Sequence, residues 1–298
     1  MLINTSVLNA VFLSLRTDFN KAFQAAPTKW GRIAMRVPSG SAQNDYKWLS
    51  SFPRMRRWIG DKHVKSLAAF SYTIVNDDWE ATIEVDRNHI ADDTLGIYAP
   101  QAQMAGFAAA QLPDEIVFAL VAAGATNSCY DGQPFFATDH PVGTSTASNK
   151  DNNPLQADTL AHAQASYGAA RSAMQAYVDD EGRSLGVMPD VLLVPPALED
   201  TARILMTAER FGDNPNPYRN TAEVVVSPWL TDPDAWYLLD CTKPVRPFIY
   251  QERTAPTFVQ QTGMDNDAVF NRRAYKYGAE ARAAGGYAFW QLAYANIP

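Results

Sequence analysis

The sequence predicts an α+β fold: a strand-rich body around one long helix, with a separate α/β unit inserted into it. Three features predict this. Helical patterns at the N-terminus and at about 98–124 alternate with strand-like runs at 70–75 and 81–85. A helix–strand–helix–strand succession then fills 158–240. Strand-like runs return between Pro247 and Tyr294. The chain has 298 residues, 47% hydrophobic and 19% charged, a composition typical of globular proteins. A chain of this size buries roughly 75% of its unfolded surface and needs no metal or disulfide to fold.

The elements follow in order. Val7, Val11, Leu15 and Phe19 recur every fourth residue, with Leu8 and Phe12 alongside, so the chain opens on an amphipathic helix. Asn4, Thr5 or Ser6 offers a cap, and the pattern fades before Pro27. Gly31 to Pro38 reads as extended, and Ser39-Gly40-Ser41 as a break. Residues 42–67 interleave large apolar side chains (Tyr46, Trp48, Phe52, Met55, Trp58, Ile59) with Lys47, Arg54, Arg56, Arg57, Lys62 and Lys65. The Tyr46/Trp48 alternation suits a strand, and Pro53 and Gly60 suit turns, giving a basic aromatic hairpin. Two strands follow, 70–75 and 81–85, turned by Asn76-Asp77-Asp78. Pro113 with Asp114 and Glu115 predicts a helix in two collinear or kinked segments, about 100–111 and 113–123, closed by Gly124. Thr144–Pro154 reads as a polar surface loop.

In the inserted unit, Asp158 or Thr159 caps a helix to about Asp179, and Val191–Val194 is a buried strand. Pro196 or Ala197 opens a helix to Arg210, Asn214–Asn220 is an irregular loop, and Glu223–Ser227 and Trp236–Asp240 are strands. Late strands are expected at Pro247–Gln251, Thr257–Gln260, Val269–Ala281 and Tyr287–Tyr294. The resulting divisions are 1–40 (helix and arm), 41–68 (hairpin), 69–154 (first part of the body), 155–245 (inserted unit) and 246–298 (strands returning to the body).

Function classes narrow from here. The weakly polar stretch Ala99–Gly124 is broken by Gln101, Gln103, Gln111, Pro113, Asp114 and Glu115, too polar for a membrane span. The N-terminus lacks leading basic residues and a small-residue cleavage site, which predicts an intracellular protein. Cys129 and Cys241 match no metal spacing and read as two buried thiols. His63, His89, His140 and His162 are scattered. Asp139-His140-Pro141 suggests a Cys129/His140 dyad, but the simpler reading is a turn before Pro141. The chain carries no G-x-S-x-G, P-loop or G-x-G-x-x-G. Glu80/Glu84 and Asp92/Asp93 read as solvated acids without a cation-loop spacing. No catalytic residue, cofactor or metal is therefore assigned. Aromatics among basic residues suit single-stranded nucleic acid, yet no nucleic-acid motif accompanies them.

Charge is divided along the chain. Residues 1–67 hold eleven Lys/Arg against three acids, a net of +8, and residues 68–298 hold fourteen against twenty-nine, a net of −15. A chain with a basic end and an acidic body attracts copies of itself head to tail.

Several runs together resemble a known family. They are Arg16-Thr17-Asp18-Phe19, Ile33-Ala34-Met35, Tyr46-Lys47-Trp48-Leu49 with Phe52-Pro53, and Asp92-Asp93 through Leu95-Gly96-Ile97-Tyr98-Ala99-Pro100. Further on come Gln111 with Pro113-Asp114-Glu115, Cys129-Tyr130-Asp131-Gly132-Gln133 with Phe135-Phe136 and His140-Pro141, Tyr237–Cys241 and Gln251-Glu252-Arg253. The chain resembles the major head subunit of Mu-like phages, the gpT family, and the HK97-type capsid fold. That resemblance implies a structural protein without enzymatic activity or cofactor. The hairpin would be an E-loop lying on a neighbour's peripheral (P) domain. The helix at about 98–124 would be the P-domain spine, and 155–245 an axial (A) domain meeting its copies in pentamers and hexamers. Trp48, Phe52, Arg54, Arg56, Arg57, Trp58, Lys62 and Lys65 are then expected to meet a neighbour's Asp77, Asp78, Glu80, Asp92 and Asp93. The implied partners are further copies of the chain, a separate scaffolding protein (the arm begins almost at Met1, so either scaffolding is separate or this is the mature form), a portal and packaged double-stranded DNA, with no membrane. The location is the virion, after assembly in the bacterial cytoplasm. Alternatives are an encapsulin-type compartment of the same fold and, more remotely, a Cys/His hydrolase.

Overall fold

The computed structural model describes residues 5–50, 72–86, 98–261, 263, 266, 269, 271 and 274–297. The N-terminal helix, Thr5–Ala25, turns Phe12, Leu15 and Phe19 inward. It packs along the long helix Ala99–Ala123, whose small residues Ala102, Ala105 and Ala109 are buried. The approach is close enough that a Cβ at Gly106 would lie 2.3 Å from the carbonyl oxygen of Phe19. The long helix runs through Pro113 without interruption, the collinear form of the two expected segments. An interior proline costs about 3 kcal/mol, and packing along the helix offsets that loss. Length and composition alone would let this helix cross a membrane, but half of its most apolar stretch is buried inside the fold.

The first extended segment begins later than its sequence suggests. Trp30–Ile33 is one helical turn, and strand β1 (Ala34–Pro38) follows it. Strand β2 (Gln43–Asp45) ends before Tyr46, and Lys47–Ser50 is a 3-10 turn rather than strand. The reason is Tyr46, which turns into the core and donates its hydroxyl to Gln251 at 2.7 Å. Strands β3 (Thr73–Val75) and β4 (Asp77–Asp86) come next. Residues expected to turn, Asp77 and Asp78, instead open β4.

Thr144–Pro154 is structured rather than loose. Strands β5 (His140–Val142) and β6 (Ser145–Ala147) pair as a hairpin, and β7 (Lys150–Asp151) joins a larger sheet. Thr159 caps the next helix by accepting the His162 N–H. That helix runs Leu160–Ala163, widens to a π turn at Gln164–Gly168, and ends with Ala169–Gln175, short of Asp179. Strand β8 is Val191–Val194. A 3-10 turn, Pro196–Leu198, leads into helix Glu199–Thr207. Strands β9 (Arg210–Phe211) and β10 (Asn214–Pro215) form a short hairpin. Strands β11 (Glu223–Val226), β12 (Trp236–Leu239), β13 (Phe248–Gln261), β14 (Ala274–Tyr287) and β15 (Ala293–Asn296) complete the chain.

Two sheets carry the architecture. The first has order β1-β13-β14-β4, parallel at β1/β13 and antiparallel elsewhere. The N-terminal and long helices pack against it. The second has order β11-β8-β12-β15-β7. The division at 246–298 needs correction here: β13 and β14 join the first sheet, but β15 pairs with β12 and β7 in the second. β7 also lies ahead of the expected boundary at 155. The second sheet is thus closed by chain from before and after the inserted unit, through backbone pairing that side-chain pattern does not encode.

Candidate functional site

The exposed face of the first sheet is the first candidate. Along β4, alternation sends Trp79, Ile83 and Val85 one way and Asp78, Glu80, Thr82, Glu84 and Asp86 the other. Ile83 and Val85 meet Phe12, Leu15 and the long helix. The opposite face is acidic and open. Arg282 of β14 pairs with Asp78 at 2.5 Å, and Lys276 reaches Glu84 at 3.6 Å. Between them Glu80 stands directly across from Glu280. Both are exposed, and like charges opposed across strands repel. Among the described residues β4 is the outer strand of its sheet, with no neighbour beyond it.

Asp77, Asp78 and Glu80 lie on one edge strand, where alternation sets Asp78 and Glu80 on the open face and Asp77 on the side the helices cover. Trp48 lies elsewhere, 37% exposed, edge-on to Tyr46 and Phe289. Phe52, Arg54, Arg56, Arg57, Trp58, Lys62, Lys65, Asp92 and Asp93 fall outside the described residues. Glu280, Arg282 and Lys276 were missed in the sequence; their alternation along a 14-residue strand was the available signal.

A joint links the two sheets. Asp114, buried in the long helix, accepts the backbone N–H groups of Lys29 (2.9 Å) and Trp30 (2.7 Å). Burial, the largest influence, raises its pKa, against the pull of those two hydrogen bonds and Lys29. The turn so anchored aims Arg32 at Asp190 (2.7 Å) and Glu223 (2.5 Å) of the second unit. Lys29 Nζ also donates to the Val226 carbonyl at 2.6 Å.

The third candidate is the one nearest to chemistry. Cys129 and His140 do come together, but through Asp131 rather than Asp139, which is exposed. The Asp131 carboxylate takes the Cys129 thiol at 3.0 Å on Oδ1 and meets His140 Nδ1 at 2.7 Å on Oδ2. His140 is fully buried and stacked on Trp290 at 4.2 Å. Burial and then the charge of Asp131 push the Cys129 thiol far up. For Asp131, burial acts upward, but hydrogen bonds from His140, Cys129 and the Gln133 N–H hold the carboxyl below its usual range. A thiol kept protonated in this way is a poor nucleophile. Cys241 is likewise buried and unpaired, its thiol pushed up to about 12 by burial and Asp190.

Known proteins settle the family. A family model described as the Mu-like prophage major head subunit gpT matches residues 8–163, 155–230 and 231–297. The Mu-like prophage FluMu major head subunit of Haemophilus influenzae is 32% identical over 293 residues, spanning 98% of this chain and 74% of its own length. The major capsid protein of Escherichia phage Mu is 31% identical over 300 residues, spanning 99% and 75%. Among solved structures, the procapsid of bacteriophage JBD30 superimposes with a TM-score of 0.64 at 32% identity, covering 99% of this chain and 76% of that one. With phage capsids as its structural neighbours, the fold is the HK97-like capsid fold, and the chain belongs to the Mu-like gpT family of major head subunits.

Proposed function

We propose that this head subunit assembles as pentamers and hexamers into an icosahedral shell enclosing double-stranded DNA. The observation that carries the reading is the half-covered first sheet. Its helices cover one face, and the other presents Asp78, Glu80 and Glu280 to a partner. The complementary charge is on the chain itself, in Arg54, Arg56, Arg57, Lys62 and Lys65. A neighbour's arginine or lysine placed between Glu80 and Glu280 would relieve their repulsion. Exposed pairs contribute only about 0–1 kcal/mol each. Apolar anchors such as Trp48, Phe52 and Trp58 must supply the rest, together with the many repeats of each contact. Asp92 and Asp93, outside the described residues, belong to the same expected contact set by sequence.

Residues 155–245 act as the axial domain and the helix Ala99–Ala123 as the spine of the peripheral domain. The net charge of −7 suits a shell that encloses DNA without gripping it, because phosphate binding needs a basic surface. Assembly takes place in the host cytoplasm with a separate scaffolding protein and a portal, and the subunit performs no catalysis. An encapsulin-type compartment would hold a cargo protein in place of DNA.

The test is electron microscopy of the chain expressed with its candidate scaffolding protein. Closed shells with five-fold and six-fold capsomers are expected. Trp58→Ala and Arg56→Glu should leave the subunit folded by circular dichroism yet block closure. Normal shells from both variants would remove the contact assignment. Monomers alone from the unaltered chain, under every condition tried, would remove the shell itself.

A further inference from the structure

The turn Cys129–Gln133 and the start of β5 meet inside the core, and one side chain there decides what lies between them. Asn149 is held in a single orientation. Its Oδ1 accepts the Ala137 N–H at 2.9 Å, and its Nδ2 donates to the carbonyls of Phe135 (2.8 Å), Trp290 (3.3 Å) and Ala293 (3.3 Å). Reversing the amide would set donor against donor. The same Oδ1 lies 3.1 Å from His140 Nε2, so that nitrogen carries a proton. Its Nδ1 lies 2.7 Å from Asp131 Oδ2. A second proton on the ring, or a metal ion held by both groups, satisfies that pair.

We propose that Cys129, Asp131 and His140 form a binding site for a divalent, zinc-class metal ion. Their ligand atoms, Sγ, a carboxylate oxygen and Nδ1, all lie within 4.8 Å of one another. Tetrahedral zinc places its ligand atoms roughly 3.3–3.7 Å apart, so the close pairs need open by only ~0.5–1 Å. A thiolate, a carboxylate and an imidazole form a mixed sulfur, oxygen and nitrogen set of the kind zinc takes. On binding, the Cys129 S–H bond breaks, its proton leaves to solvent and a metal–sulfur bond forms. Thiolate and carboxylate together balance the ion's two charges, so the buried site stays neutral. The Nε2–H donated to Asn149 is the outer contact that fixes a metal-bound imidazole's tautomer and orientation. The ion would staple the turn, where Gly132 adopts φ +89°, to β5. The site shares no residue with the acidic face of the first sheet.

The experiment is metal analysis of the purified full chain after dialysis against metal-free buffer, by plasma mass spectrometry and X-ray absorption. One zinc per chain is expected, with a sulfur neighbour beside nitrogen and oxygen. Cys129→Ala and His140→Ala should each lose the metal, and chelation should lower the melting temperature of the unaltered chain. Absence of retained metal, with no uptake from added zinc under reducing conditions, would overturn the proposal and leave a proton shared between His140 and Asp131. Metal bound without a sulfur neighbour would overturn it as well, even if neither variant folds.

Discussion

Val191–Val194, Trp236–Leu239 and Ala293–Asn296 are buried at every residue, whereas Asp77–Asp86 buries only Val85. The first three strands share the second sheet, which is wrapped by its own helices and loops. The last is the edge of the first sheet, which has helices on one face and charge on the other. β13 shows both conditions in one strand: Phe248–Gln251 is buried and the half beyond Glu252 is largely exposed. The contrast teaches that the subunit covers one sheet by itself and leaves one face of the other open. Stability should reside in the second sheet, and assembly in the open half of the first.

The largest expected effect breaks the closed sheet. Trp236 is fully buried, with its indole N–H on the Asn153 carbonyl at 2.9 Å. Trp236→Ala should cost about 3–5 kcal/mol in denaturant unfolding of the free subunit. A loss under 1 kcal/mol would mean the second sheet is not the stable core.

The next change strikes the open sheet at its backbone. A Cβ at Gly278 would lie 2.0 Å from the Ala81 carbonyl oxygen. Gly278→Ala should cost about 1–3 kcal/mol and selectively speed amide exchange along β4. Uniform exchange across both sheets would blur the contrast.

A third change separates the two sheets at their joint. Asp114→Ala leaves the Lys29 and Trp30 N–H groups unpaired and should cost about 1–3 kcal/mol. Asp114→Asn keeps one acceptor and should cost less, read from the same melts.

The smallest stability effect carries the most functional weight. Glu80→Gln or Glu280→Gln should shift unfolding of the free subunit by no more than about 0.5 kcal/mol. Either should nonetheless flatten the salt dependence of assembly measured by light scattering. An unchanged salt profile in both would detach this acid pair from assembly.

Local pattern made some of this legible and hid the rest. The Ala-rich run of the long helix and the apolar run Val191–Val194 announce themselves, because burial on one face or on both leaves a periodic trace. β13 was harder, since its largely exposed second half carries polar residues and a proline that read as a break. The place of β15 in the second sheet is a matter of backbone pairing, which side chains scarcely record. The same limit governed the sites. Asp139 neighbours His140 in sequence, yet a turn brings Asp131 to the ring instead. Asp114 reads as a helix-starting acid after Pro113, yet its partners lie 84 and 85 residues away. Contacts of that span depend on the finished fold.

The most direct test of the central claim is a cryo-electron microscopy reconstruction of assembled heads at side-chain detail. The account expects protein from an adjacent subunit over the acidic face of β4 and β14, with a basic side chain between Glu80 and Glu280. A shell in which that face meets solvent, while the second sheet supplies the intersubunit contacts, would contradict it.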